Sequence, residues 1–389
     1  MSGVRFGRVL ALAAVTSLAL AGCAGGSSSS GSSDTLKIGF MGDLTGENSG
    51  IVIPPNNGAK LAIDEYNATN PKTKLELKNY DSQGKPEQAT SLIQTAITQD
   101  KITALIGPTF SGESKAIGGV LEQSKVPSVS PSATNPGLAK NGWKYWHRVV
   151  ANDDDQGPGI ANFLIKAKSP KTAFVITDDQ EYSVGLGDAF EKTLKAAGVT
   201  TQRDKFAKDA SDYSSTVAKV KAANPDIITY GGYYAQAGRL LKQLRDGGVK
   251  GIFATGDGSL DPQLVSGAGA AAAEGAVIGC PCYFGSTAST DPKLKEFADK
   301  YKAKFGVDPA IYSTEGYDAA TAIINAVKAG NTTGEAINNF IKTEDFAGVS
   351  KQIKFKDNGE PSANSIFIYQ VVGGVIKPLG ASTEAKLNG

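Results

Sequence analysis

The apolar positions of this chain change period at regular intervals. Leu36–Phe40 alternates and predicts a strand, while Ala59–Asn67 has helical spacing and stops near Asn70-Pro71. Lys74–Tyr80 alternates again, and Pro86–Gln99 is amphipathic, with Ala89, Leu92, Ile93, Ala96 and Ile97 on one face. Ala104–Ile106 and Val126–Val129 are short apolar runs separated by a helix's worth of residues, and Trp143–Val150 is an aromatic-rich strand. This is a βαβαβαβ pattern, which implies a right-handed, mostly parallel sheet with helices on both sides.

A second series follows Asn152–Pro158. Ile160–Lys166, Val184–Ala197, Tyr213–Ala223 and Gln236–Arg245 read as helices. Thr172–Thr177, Thr200–Phe206, Ile227–Tyr230, Ile252–Thr255 and Gly275–Ile278 read as strands. The last third differs: Lys293–Phe305 and Tyr317–Ala329 are helical, with only short strands at Lys351–Phe355 and Ser365–Val371 after them. Helices without strands of their own would most economically cover the first sheet. The fold class expected is α/β, with two similar doubly wound parallel-sheet lobes joined by a three-crossover hinge. Lobe 1 is expected over 35–150 plus 283–357, and lobe 2 over 151–282 plus 358–389.

The strand ends around Ala104–Thr134 draw the candidate chemistry together. Parallel strands joined by a helix put their following turns on one edge, where open α/β sheets bind ligands. One turn carries Ser111 and Ser114 at a helix start, and the other carries Ser130, Ser132 and Thr134. Hydroxyls beside helix N-terminal N–H groups suit a carboxylate or phosphate. The same residues also serve as N-caps and turn formers, but two such turns on neighbouring strands favour a site.

Composition narrows the classes. With 389 residues and 40% hydrophobic content the chain can build two cores. Lys+Arg 40 against Asp+Glu 39 gives no basic excess and no reason to expect nucleic acid as a partner. Arg5 and Arg8, the apolar run Val9–Leu20 and Leu20-Ala21-Gly22-Cys23 resemble a bacterial lipobox. The expectation is a signal peptide over 1–22, lipidation at Cys23 and a flexible tether through residue 34, leaving the protein at the extracytoplasmic face of the bacterial cell membrane. Cys280-Pro281-Cys282 is compatible with a small disulfide or two free thiols, structural in either case. His147, the single histidine, reads as a packed residue, which removes most mechanisms built on a histidine base. No metal cluster, cofactor fingerprint or nucleophile elbow is present in the sequence, so no cofactor and no catalysis are expected.

Several segments in order resemble the type I periplasmic-binding-fold proteins of branched-chain amino acid ABC transporters. They are IGF at 38–40, GAKLAIDEYN at 58–67, LIGPTFSGES at 105–114, VPSVSPSAT at 126–134, DDDQGP at 153–158, YGGYYAQAGRLLKQLRDGG at 230–248 and FKDNG at 355–359. The resemblance spans about Thr35 to Leu379 and implies an amino acid held between two closing lobes. Its α-carboxylate would meet Ser111 and Thr134, with the Ser132 backbone helping to orient it. Tyr182, Tyr233 and Asp257 would come from the second lobe, Asp257 taking the α-ammonium. The loop Gly46–Pro55 lacks the aromatic that some members place over the ligand side chain, and Asp257 is one methylene shorter than glutamate. Phe110 and Tyr312 would wall an apolar pocket, whereas Glu47 and Asn48 would line a polar one; both arrangements are compatible with the sequence. The implied function is a monomeric, lipid-anchored receptor that passes an amino acid to ABC permease subunits. The alternatives are a ligand-sensing receptor with the same clamp, or a binder of a neutral amide or carboxylic acid.

Overall fold

The computed structural model describes residues 34–283 and 287–388. The expected signal peptide, the expected lipidation at Cys23 and most of the expected tether lie outside the described residues.

The first sheet contains β1 (Asp34–Gly42), β2 (Thr73–Asp81), β3 (Ala104–Ile106), β4 (Ser128–Ser130) and β5 (Trp146–Arg148), in the order β2-β1-β3-β4-β5. Every pairing is parallel, as in Ile38 opposite Ala104 and Leu105 opposite Ser128. The helices between them are α1 (Ile53–Ala68), α2 (Pro86–Thr95) and α3 (Ser111–Ser124). The second series gives α4 (Asp153–Lys168), β6 (Thr172–Thr177), α5 (Glu181–Ala196), β7 (Thr200–Lys205), α6 (Ser214–Ala223) and β8 (Ile227–Tyr230). It continues through α7 (Tyr234–Asp246), β9 (Ile252–Thr255), α8 (Pro262–Ala268), α9 (Ala270–Ala273) and β10 (Val277–Cys280).

Strands β7-β6-β8-β9-β10 repeat the strand order of the first sheet, and all are parallel. The two lobes therefore share one winding. In both, the order reverses beside the first strand, and the crevice at that reversal lies at the carboxyl ends of the strands.

The last third adds α10 (Pro292–Phe305), α11 (Ser313–Lys328), α12 (Gly334–Ile341), β11 (Asp345–Ala347), β12 (Gln352–Lys354), β13 (Phe367–Val372) and β14 (Val375–Ala381). Helix α11 packs against α1 and over β3 and β4, whereas β13 and β14 extend the second sheet antiparallel to β10 and to each other. The chain thus passes between the sheets after β5, after β10 and after β12.

Several elements exceed the sequence expectation. Helix α1 starts six residues before Ala59, because Pro54 and Pro55 occupy its first turn, where a missing N–H costs nothing. Helix α4 starts at Asp153 rather than Ile160; Asn152 Oδ1 accepts the Asp154 N–H at 2.8 Å, and three acidic residues complement the helix dipole. Trp143–Val150 contributes a strand over Trp146–Arg148 alone. Helices α8, α9 and α12 and strands β11 and β14 are additional to the sequence expectation. Cys280 and Cys282 are joined by a disulfide, with Cα atoms 5.0 Å apart. His147 is buried, its Nε2 2.8 Å from Asn338 Oδ1.

The α1–α11 contact is close enough to require glycine on both sides. A Cβ on Gly58 would stand 2.0 Å from Ser313 O, and one on Gly316 would stand 2.1 Å from Pro55 O. Neither carbonyl can move without shifting a helix. Gly316→Ala is therefore expected to lower stability by about 1–3 kcal/mol, read as a lower denaturant midpoint at unchanged slope. A wild-type midpoint would show that the two helices separate freely.

Candidate functional site

The loops after β1, β3 and β4 face those after β6, β8 and β9, and Tyr312 joins them from the start of α11. One cavity results, lined by Ile51, Thr109, Phe110, Ser111, Ser132, Tyr182, Tyr233, Asp257 and Tyr312. Seven of the eight candidate ligand residues named from the sequence thus line one cavity. Thr134 does not. Its hydroxyl turns towards Asp153, close enough to lower that acid's pKa, yet neither Thr134 Oγ1 nor Asp153 Oδ2 makes a well-formed hydrogen bond.

On the lobe 1 side, Ser111 is the first residue of α3, and its first-turn N–H groups have no intrahelical acceptor. Ser111 Oγ accepts the Asn135 N–H at 3.1 Å, which leaves the hydroxyl proton available. Ser132 donates its own hydroxyl to Thr109 O at 2.7 Å. The helix start is fixed by Glu113, whose carboxylate accepts the Phe110 N–H at 3.1 Å and also the Ser82 hydroxyl. Burial pushes Glu113 up to about 7.

Asp257 sits on the turn after β9, flanked by Gly256 and Gly258. A Cβ on Gly256 would lie 2.6 Å from the Tyr182 hydroxyl, and one on Gly258 would lie 2.7 Å from the Tyr182 ring, so neither glycine can carry a side chain here. Asp257 Oδ1 accepts from Tyr182 Oη at 2.9 Å and Gln156 Nε2 at 2.7 Å, and Oδ2 accepts from Tyr312 Oη at 2.6 Å. All three donors are neutral. Among the described residues no Lys or Arg lines the cavity. Burial raises the Asp257 pKa above the usual carboxylate value. Burial also pushes both tyrosines far above their ordinary range, so they remain donors. A carboxylate offers about four acceptor directions, and three are taken; one remains for a cation.

Tyr312 is held at φ 61°, the left-handed region, unusual for a bulky residue. Such strain persists where surrounding structure fixes it, and here the hydroxyl is directed onto Asp257. Gln156 was overlooked by sequence reasoning. Besides its bond to Asp257 it donates to Asp153 Oδ1 at 3.0 Å and accepts the Asp257 N–H at 2.8 Å. Its position in the DDDQGP run, one of the segments that carry the family resemblance, was the available signal. Asp153 is buried and, by desolvation first and the Asp257 charge second, its pKa lies well above normal.

The aromatic residues form the wall. The Phe110 ring lies 4.5 Å from that of Tyr233, which lies 5.1 Å from that of Tyr182. Ile51, rather than an aromatic, supplies the contact from the loop after β1. Glu47 and Asn48 do not line the cavity; Glu47 instead pairs across the cleft with Arg239. The apolar wall is therefore the arrangement found. About 10 Å³ inside this wall is reachable by the centre of a water molecule, while a cleft of about 420 Å³ lies beyond Phe110 and Tyr233. A larger cavity of about 1050 Å³ lies beside α8 and the β13–β14 hairpin, among mainly apolar side chains such as Val265 and Val375. It lacks the convergent donors and acceptors of the smaller site, which we take as the functional one. Among the described residues no group of three His, Cys, Asp or Glu side chains could hold a metal ion.

A family model described as periplasmic binding protein matches residues 35–375. The leucine-, isoleucine-, valine-, threonine- and alanine-binding protein of Pseudomonas aeruginosa is 26% identical over 351 residues, 89% of this chain and 92% of that one. A leucine-specific-binding protein of Salmonella typhimurium is 30% identical over 69% of this chain and 72% of its own. The crystal structure of a leucine-binding protein from Thermotoga maritima has a TM-score of 0.82 at 30% identity, covering 89% of this chain and 98% of that one. An isoleucine complex of a branched-chain amino acid transporter substrate-binding protein from Streptococcus pneumoniae gives 0.81 at 27% identity, covering 90% and 99%.

Proposed function

Because the chain belongs to the periplasmic binding protein family, we propose that it captures an amino acid between its lobes and delivers it to an ABC permease. The supporting observation is Asp257: a buried carboxylate with three neutral donors, one open acceptor direction and no cation among its cavity neighbours. A zwitterion supplies the missing cation. Its carboxylate would take the Ser111 hydroxyl and the first-turn N–H groups of α3, and its side chain would lie against Ile51, Phe110 and Tyr233. Lobe closure follows because the two charged ends are met from different lobes, so both are satisfied in the closed state alone. No bond is made or broken.

Calorimetric titration of the protein lacking its first 23 residues against single amino acids, neutral amides and carboxylic acids tests this reading. Binding confined to amino acids with a free α-ammonium supports it. Tight binding of an amide or a simple carboxylic acid, with none for amino acids, would replace it.

We further propose that Cys23 carries a lipid that holds the protein, as a monomer, at the outer face of the cell membrane. Among the described residues no helix is long and apolar enough to cross a membrane. Cys23→Ser is expected to move the protein from the membrane fraction to the soluble one with amino-acid affinity unchanged. Equal membrane retention of both forms would remove the anchor.

A further inference from the structure

Arg148 ends β5, where the chain first leaves lobe 1, and its side chain is fully buried. Its guanidinium makes a two-pronged pair with Glu360: Nε lies 3.1 Å from Oε2, and Nη2 bonds Oε1. Glu360 is 212 positions away, on the third passage between the lobes, and its carboxylate is also buried. The two segments touch through the backbone as well, since Arg148 N donates to Gly359 O at 3.0 Å. Gly359 has φ +79°, and a Cβ there would meet Trp146 O at 2.1 Å. The first and third passages are therefore locked together at this point.

The remaining prong of Arg148 points elsewhere. Nη1 donates to Ala133 O at 2.7 Å and to Asn135 O at 3.1 Å, the carbonyls on either side of Thr134. That turn reaches both halves of the cleft: Asn135 N–H bonds Ser111 Oγ, and Asn135 Nδ2 donates to Glu181 O at 2.6 Å on lobe 2. Thr134 O accepts the Asp153 N–H at 2.9 Å, at the head of the helix that carries Gln156.

We propose that Arg148 is a positioning residue which, anchored by Glu360, sets the 133–135 turn and so couples the hinge to the ligand site. The inference rests on the amino-acid reading for its effect on affinity, but not for its effect on the turn. A buried ion pair need not serve stability, since apolar residues of similar size often replace one at little or no cost. What such a replacement cannot reproduce is the grip on two carbonyls.

The test compares wild type with Arg148→Met/Glu360→Met and with Arg148→Lys. Thermal unfolding reports stability, calorimetry with the best-bound amino acid reports affinity, and amide hydrogen exchange over residues 132–138 reports the turn. The double variant is expected to melt near wild type, yet to bind roughly 10- to 100-fold more weakly and to exchange the turn amides roughly tenfold faster or more. Lysine, a point charge without the fork, should fall between the two. If the double variant does not fold, Arg148→Lys carries the same comparison. A folded variant with wild-type exchange in the turn overturns the proposal. Faster turn exchange in the variants, together with a wild-type protein that binds no amino acid, would instead overturn the proposed function and leave the positioning role standing.

Discussion

Asparagine at position 257 is expected to weaken amino-acid binding by roughly 30-fold to several thousand-fold, about 2–5 kcal/mol, while leaving the fold intact. The substitution keeps the shape of the side chain and removes its charge. Gln156, Tyr182 and Tyr312 can still surround it, so the turn after β9 has no reason to collapse. The ligand ammonium then enters a cavity without a compensating charge, having given up its water. The pH profile should agree in sign. Binding uses the ionised form of Asp257, so wild-type affinity falls as pH falls through its pKa. Because burial raises that pKa, the fall begins above the ordinary aspartate range. Calorimetry of both proteins at two pH values checks both statements. Wild-type affinity in a folded Asp257→Asn protein would remove the ammonium assignment and point to a neutral or anionic ligand.

The second large effect concerns stability without ligand. Burial pushes Glu113 and Glu315 each up to about 7. Near pH 6 the folded protein holds protons on both, whereas an unfolded glutamate releases its proton above about 4.5. The native state then binds more protons, so stability falls as pH rises from about 4.5 to about 7. His147 acts in the opposite direction. Burial pushes it down to about 4, so its contribution grows as pH rises from there to about 6.5. Glu344, also pushed up to about 7 by burial, acts with the other two glutamates, and three carboxyls against one imidazole leave a net loss of roughly 3–6 kcal/mol between pH 5 and pH 8. Chemical denaturation at the two pH values measures it. Glu113→Gln, which keeps the shape in neutral form, should flatten the profile by about a third of the carboxyl contribution. Greater wild-type stability at pH 8 than at pH 5 would show that these groups are ionised in the folded protein.

Legibility in the sequence followed burial. Ala104–Ile106, Thr172–Thr177, Ile227–Tyr230 and Ile252–Thr255 are strands at the expected bounds, since central strands of parallel sheets are short apolar runs ended by turn residues. Helix starts were less legible. In α1 and α4 the first turns consist of proline, asparagine, aspartate and glycine, which read as loop until the chain is folded. Strand β14 was hidden differently: Gly373 and Gly374, at φ +63° and +74°, form a two-residue turn joining it to β13, but its own Val375–Ala381 mixes Lys, Pro and Gly. At the site, Ser111 was legible because it follows a strand at its carboxyl end, whereas Tyr182, Tyr233 and Asp257 were legible through the family resemblance alone. Gln156 and Arg148 were not, because each acts through partners that are 101 and 212 positions away, respectively. Thr134 was legible as a turn residue, but which way its hydroxyl faces depends on Asp153 from the following helix.

The contact between α1 and α11 also sets an order in time. Gly58 and Ser313 are separated by 255 positions, so at ordinary synthesis rates the second partner follows the first by on the order of 10–50 s. Until then α1, β3 and β4 lack the helix that packs over them. Strands β6 to β10 come from one uninterrupted stretch and need only the terminal hairpin at their edge. The second lobe therefore has its five parallel strands together by Cys280, before α11 of the first lobe has been made, although its own edge hairpin comes last of all. Contacts so distant along the chain also slow refolding from denaturant.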